Sequence, residues 1–254
     1  MQFDLQDKKV LITGASKGVG AATAKLMAAS GAQIAIHYHQ NKEKASELLQ
    51  ELAGNHHLIF QADLGDKTAG PKLVEKVLQE MGALDVVVNN AGIYQEHPQL
   101  ETPFEDFASI WEDTINLCLF SPAYISYAAT KYMAENGGGK IINVTSRGAF
   151  RGEPTATAYG AAKAGLNSVS QSMAKALGSK KVFVYAVAPG FIETDMVQYL
   201  LDGEDADFFK NQSPLNRFSK PEEIAKTITF LASEGTDYLT GGIIDVNGAS
   251  YLRS

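Results

Sequence analysis

The apolar positions of this chain gather into short, near-continuous runs separated by stretches of helical periodicity. KVLITG, QIAIHY, HLIFQAD, LDVVVNNAG, KIINVTS, VFVYAVAPG and GGIIDVNG read as strands. Apolar runs of about five residues without alternation suit strands covered on both faces, as in parallel sheets. Between them the pattern predicts helices over Ala21–Ser30 and Lys42–Ala53, one beginning near Pro71, and a long helical region after Thr102. Pro122 is expected to kink that region. Further helices are predicted over Thr157–Leu177 and PEEIAKTITFLAS. This succession predicts a single α/β domain over residues 1–254, a doubly wound parallel sheet flanked by helices on both faces. Such sheets take ligands outside the carboxyl ends of their strands, so residues there are the first candidates for chemistry.

Composition narrows the classes. The 254 residues, 45% of them hydrophobic, are enough to fill one large core. A net charge of −7, with no block of Lys or Arg, argues against a nucleic-acid partner. Cys118 is the only cysteine, which excludes an internal disulfide and a cysteine-rich zinc site. His37 with His39, and His56 with His57, have no third ligand at useful spacing, so no metal is expected. The start MQFDLQDKKV lacks a signal-peptide segment and no apolar run approaches membrane-spanning length, so a cytoplasmic setting is expected.

After the first strand, Gly14, Gly18 and Gly20 form G-x-x-x-G-x-G and lead into a helix. Glycines allow a tight turn and close approach of the backbone, and a helix N-terminus presents N–H groups to an anion such as a pyrophosphate. A site preferring NAD usually places a carboxylate at the end of the second strand for the ribose hydroxyls. Here His37, Tyr38, His39, Gln40, Asn41 and Lys42 include no acid, and Lys17 adds a cation within the turn. A phosphate on the 2′-hydroxyl is better accommodated by that set, which favours NADP(H) over NAD(H).

Tyr159 and Lys163 are four residues apart, and Ser146 ends the fifth strand run. Residues at i and i+4 share a helix face, so the ammonium can lie beneath the phenol and bias it toward phenolate. A tyrosine with an unperturbed value near ~10 handles protons poorly at neutral pH without such help. Taken alone, the pair fits a solvated helix surface equally well.

TGASKGVG (13–20), NNAG (89–92), Asn116, Ser146, YGAAK (159–163) and PGFIET (189–194) occur together and in order. In this set the chain resembles the short-chain dehydrogenase/reductase family over nearly its whole length. The closing NRFSKPEEIAKTITFLAS and YLTGGIIDVNG look most like the branch containing 3-oxoacyl-acyl-carrier-protein reductases. The resemblance implies a Rossmann-type fold and hydride transfer between NADP(H) and a carbonyl or alcohol. It implies Tyr159 as acid–base residue, Ser146 on the substrate oxygen, Lys163 lowering the phenol's pKa and holding the nicotinamide ribose, and Asn116 in a proton relay. Implied cofactor contacts are Gly14, Ser16, Lys17, Gly18 and Val19 in the turn, and Tyr38, His39 and Asn41 after the second strand. Asp63 would meet the adenine amine, or cap a helix, with Leu64 beside it. Asn90, Ala91 and Gly92 would support the adenosine ribose, and Pro189, Gly190, Ile192 and Thr194 the nicotinamide side. Residues 191–214 are expected to form a substrate lid, and a homotetramer or homodimer is expected.

Two features bear on the substrate. Arg147 and Arg151 either reach an anionic substrate group or pair with Glu153. The acids Glu193, Asp195, Asp202, Glu204, Asp205 and Asp207 fit poorly with an acidic carrier protein, although reduction of a 3-oxoacyl carrier substrate stays an alternative. A non-catalytic dinucleotide sensor is the alternative from another class; such proteins usually lack the tyrosine or the lysine.

Overall fold

The computed structural model describes residues 3–194, 203 and 205–253. Its centre is a seven-stranded, all-parallel sheet in the order β3-β2-β1-β4-β5-β6-β7. The strands are β1 Lys9–Ile12, β2 Gln33–Tyr38, β3 Leu58–Gln61, β4 Val86–Asn89, β5 Gly139–Val144, β6 Val182–Pro189 and β7 Ile243–Val246. Helices α1 Gly18–Ala29, α2 Lys42–Glu51, α3 Ala69–Met81, α4 Phe104–Ile115 and α5 Ser121–Glu135 occupy the first half. The short α6 Gly148–Arg151, the long α7 Thr157–Leu177, α8 Ala206–Lys210 and α9 Pro221–Ala232 complete the set among the described residues. The strand order reverses between β1 and β4, the switch point at which such sheets open a crevice.

Both sheet faces are dry, as the unalternating apolar runs require. Val10 and Ile12 of β1 face a core built with Met27 of α1, Leu48 of α2 and Ile224 and Ile228 of α9. Leu11, between them, faces the opposite core with Val74 of α3, Met133 of α5 and Ala174 of α7. Each fully buried Ile or Leu removes enough apolar surface from water to contribute about 1.5–3 kcal/mol.

Two boundaries differ from the sequence expectation. Helix α1 begins at Gly18 rather than Ala21, so two of the turn's glycines lie in its first helical turn. Glycine has poor helix propensity, and here tertiary fit overrides it. The long helical region after Thr102 is interrupted not by a proline kink but by a π-helical turn over Asn116–Phe120. Pro122 follows at the start of α5. Proline offers no N–H and its ring crowds the carbonyl four residues back, so a wider turn just ahead of it relieves both problems. Among the described residues, no helix is long and apolar enough to cross a membrane. No group of three or more His, Cys, Asp or Glu is placed to hold a metal among them.

Candidate active site

The glycine turn is held by its neighbours before any ligand enters. Gly14 has φ +62°, and a Cβ there would lie 3.0 Å from the Ala91 Cα. A Cβ at Gly20 would fall 2.5 Å from the Gly14 carbonyl oxygen, so no other residue fits without moving backbone. Asn90 Nδ2 donates to the Thr13 carbonyl at 2.9 Å and to that of Gly14 at 3.2 Å. The N–H groups of Asn90 and Ala91 both donate to Thr13 Oγ1, at 2.9 and 3.0 Å. Helix α1 has no side-chain N-cap, so its N-terminal dipole is directed into the turn.

His37 braces the turn from below. It is 2% exposed; its Nδ1 accepts from the Gly14 N–H at 3.0 Å, and its Nε2–H donates to the Ala62 carbonyl at 3.1 Å. These partners assign the neutral tautomer. Burial is the main reason its pKa falls from 6.5 to about 4. The sequence marks this histidine only as a strand-end residue, because its partners come from two other loops. His39, the next histidine on the strand, instead stands half-exposed, 3.7 Å from Asp63.

The proton-handling residues meet at the ends of β4 and β5. Lys163, 4% exposed, donates from Nζ to the Val144 carbonyl at 2.9 Å and lies 5.6 Å above the Tyr159 ring centroid. The Ser146 hydroxyl, which accepts from the Gly148 N–H at 3.0 Å, acts on the Tyr159 phenol in the direction that favours phenolate. Burial of the hydroxyl end dominates, however, and pushes the phenol above the ordinary tyrosine range, although part of the ring stays open to the cleft. Burial also pushes Lys163 down. The spacing predicts a phenol lowered by the ammonium; burial of the hydroxyl instead raises it, so the phenol is held protonated.

Other residues complete the wall. Tyr94 packs edge-on against Tyr159, with ring centroids 5.2 Å apart. The buried His97 accepts at Nε2 from the Ala158 N–H at 3.2 Å and lies 3.1 Å from Thr157 Oγ1, which anchors the first turn of α7. Cys118 is buried beside Lys163: a Cβ on Gly92 would sit 3.4 Å from its Sγ and 3.6 Å from Lys163 Nζ. Behind the site, Asn89 Nδ2 donates to Asn143 Oδ1 at 2.8 Å, and Asn143 Nδ2 to Ser170 Oγ at 2.8 Å. That chain locks β4, β5 and α7 into one register. Tyr94, His97 and Asn143 escape sequence reasoning because each acts through a partner more than twenty residues away.

A family model described as enoyl-(acyl carrier protein) reductase matches residues 14–249. The chain belongs to the short-chain dehydrogenase/reductase family. It is 37% identical over 245 residues to the 3-oxoacyl-acyl-carrier-protein reductase of Synechocystis sp., covering 95% of this chain and 96% of that protein. It is 36% identical over 247 residues to the corresponding enzyme FabG of Staphylococcus aureus, covering 96% and 98%. Among solved structures it resembles a dehydrogenase/reductase from Sinorhizobium meliloti, with TM-score 0.91, 28% identity and coverage of 99% and 98%. It also resembles a blue fluorescent protein from a metagenomic library in complex with NADPH, with TM-score 0.90, 34% identity and coverage of 98% and 100%. As a short-chain dehydrogenase/reductase, the chain is an oxidoreductase acting between carbonyl and alcohol groups.

The remaining motif residues of this short-chain dehydrogenase/reductase fall around the crevice. Thr194 lies against the glycine turn, 3.2 Å from where a Gly18 Cβ would be. Gly190 donates its N–H to Val246 at 3.1 Å, and Pro189 accepts from the Arg147 N–H at 2.9 Å. Ile192 bridges to Ser219. Tyr38 and Leu64 are buried, and Asn41 spends its Oδ1 as the cap of α2, accepting from Lys44 N–H at 2.9 Å. Asp63 is not the cap of α3, which begins at Ala69; its Oδ1 instead accepts from Gly65 N–H at 3.0 Å. Ser16, Lys17 and Val19 line the turn and the start of α1. Asn116 opens the π-helical turn and its carbonyl accepts from the Ser121 N–H. Of the expected lid, residues 195–202 and 204 lie outside the described residues, and with them Asp195, Asp202 and Glu204.

Proposed function

We propose that the protein is an NADP(H)-dependent carbonyl reductase in which Tyr159 delivers the proton to the substrate oxygen. The observation that carries this is the Ser146–Tyr159–Lys163 arrangement at the β5 end, with the phenol held protonated by burial. A protonated phenol is the form a carbonyl reduction consumes, since a general acid must hold its proton until charge develops on the oxygen. Ser146 steadies that developing charge by hydrogen bonding. Lys163 holds a ribose hydroxyl and, with Asn116, restores the proton to Tyr159.

The residues present fit a dinucleotide. A cradle that a Cβ would fill at Gly14 and Gly20, beneath an uncapped helix N-terminus, suits a pyrophosphate. When bound, the nicotinamide supplies the hydride. NADP(H) is favoured over NAD(H) because no carboxylate follows β2 and Lys17 stands at the turn; the NADPH-bound relative points the same way. Asp63 stands 3.7 Å from His39. A lid over residues 191–214 and a homotetramer or homodimer belong to the same proposal. Consumption of NADPH and NADH with a panel of ketones tests it, and a clear preference for NADH would overturn the cofactor assignment.

A second reading is reduction of a 3-oxoacyl thioester on a carrier protein, favoured by the identity to the Synechocystis and Staphylococcus enzymes. Turnover of acetoacetyl-CoA distinguishes it.

A further inference from the structure

Arg147 and Arg151 separate in the structure. Arg151 Nη2 pairs with Glu153 Oε2 at 3.2 Å. Arg147 does not pair with it. Its side chain, 2% exposed, has its guanidinium 4.3 Å above the Phe191 ring, and its Nη2 donates to Gln212 Oε1 at 2.7 Å. Its Nη1 is buried and has no hydrogen-bond partner. Burial and the neighbouring Arg151 push its pKa down to about 10, so it stays cationic at neutral pH.

Arg147 also lines a cavity at the carboxyl end of the sheet, walled by Phe191, Phe209 and Phe218. Ser250 lines the same cavity, and its Oγ is also buried without a partner. The other charges there cancel: Arg217 holds Glu223 through two hydrogen bonds of 2.7 and 2.8 Å. Ser213 is satisfied, donating to the Gly248 carbonyl at 2.6 Å. Arg147 Nη1 and Ser250 Oγ remain as buried polar atoms without a hydrogen-bond partner among the residues that line the chamber. Glu153 offsets part of the Arg147 charge while burial and Arg151 work against it, so an anion at the unpartnered edge would be favoured. The chamber begins one residue from Ser146, and neighbouring Cα atoms are only about 3.8 Å apart.

We propose that this cavity receives the carboxylate of the substrate, held by Arg147 Nη1 and Ser250 Oγ, so that the enzyme reduces short oxo acids in preference to neutral ketones. The proposal rests on the carbonyl-reductase assignment. It explains why an arginine stands directly after the serine that holds the reacting oxygen. Phe191 fixes the guanidinium plane by its ring face and Gln212 occupies one edge, leaving the other preorganised for an oxyanion.

Two measurements test it. The first uses 2-, 3-, 4- and 5-oxo acids and their methyl esters with NADPH. The wild type should prefer one acid over its ester in kcat/KM by about 10- to 100-fold, the range of a charge-assisted hydrogen bond. Arg147→Gln should collapse that ratio, and Ser250→Ala should reduce it several-fold. A wild type that reduces ester and acid equally, or an unchanged ratio in both variants, overturns the proposal. The second needs no turnover and so separates this idea from the reductase assignment. Butyrate, butyramide and inorganic phosphate are compared by thermal shift on the wild type, Arg147→Gln and Ser250→Ala. Stabilisation by butyrate alone, lost in the folded variants, supports the carboxylate site even if no ketone is reduced. Stabilisation by phosphate but not butyrate, by the amide equally, or by none of them overturns it.

Discussion

His37 offers a test of the fold's electrostatics that is independent of substrate. Buried and neutral, it has a pKa of about 4 against 6.5 for an ordinary histidine. Above pH 6.5 neither the folded nor the unfolded chain carries this proton, and the full stability is present. Between pH 6.5 and about 4 the unfolded chain takes it up and the folded chain does not, so stability falls as pH falls. Below about 4 both forms are protonated and the loss levels off. A gap of about two and a half pH units, at about 1.4 kcal/mol each, is worth roughly 3 kcal/mol. That is a large share of the 5–15 kcal/mol typical of a folded domain. Replacement by glutamine keeps an acceptor for the Gly14 N–H and a donor for the Ala62 carbonyl but cannot titrate in this range. Urea unfolding of wild type and His37→Gln, at one protein concentration and from about pH 7 down to about pH 4.5, isolates the term. The wild type should lose roughly 2 kcal/mol more than the variant across that interval, the remainder of the term appearing only below it. Parallel pH dependences for the two proteins would refute the reasoning.

Other outcomes follow from the site. Tyr159→Phe should lower kcat by about 10²–10⁴, the contribution of a positioned general acid, with NADPH binding by fluorescence little changed; retained turnover would remove Tyr159 from its role. In a spectrophotometric tyrosine titration, the phenolate signal that Tyr159→Phe removes should appear only above pH 10, since burial raises this group; its appearance near neutrality contradicts the burial argument. Asn143→Ala removes one of the buried Asn89 Nδ2 hydrogen bonds, leaving that to Ser126 Oγ, and also the bond to Ser170 Oγ, so denaturation should show a loss of about 1–3 kcal/mol. Glu223, held by Arg217 and the Lys220 N–H, has its pKa pulled to about 2, and the side chain is 38% exposed. Solvent screening makes that pair's contribution small, and it is lost as pH falls from 4.5 toward 2, mostly below the His37 window; thermal melts of Glu223→Gln check this.

The parts of the protein legible in the sequence are those whose physics is local. Lys163 must lie one turn from Tyr159 wherever α7 forms, and the parallel sheet follows from runs that never alternate. Residues that work through distant partners were hidden. Nothing near His37 in the chain announces Gly14 or Ala62, and nothing around Arg147 and Arg151 says which of them Glu153 will take. The start of α1 is not legible in the sequence because propensity penalises glycine, whereas here two of the turn's glycines lie inside the helix. The phenol's direction of shift was misjudged for a related reason: spacing gives proximity to a cation, but only the three-dimensional surroundings reveal how much water the hydroxyl has lost.

The π-helical turn over Asn116–Phe120 joins two helices that differ in angular phase. An α-helix advances about 100° per residue, and a turn closed by a bond five residues back absorbs one residue without adding a rise that the flanks can feel. Cys118 can therefore lie beside Lys163 while Ile125, Ala129 and Met133 remain packed in the core against the sheet. The segment works as a phase shifter. Deleting a single residue within it would leave composition and hydrophobicity almost untouched, yet would rotate either the site residues or the core residues out of alignment.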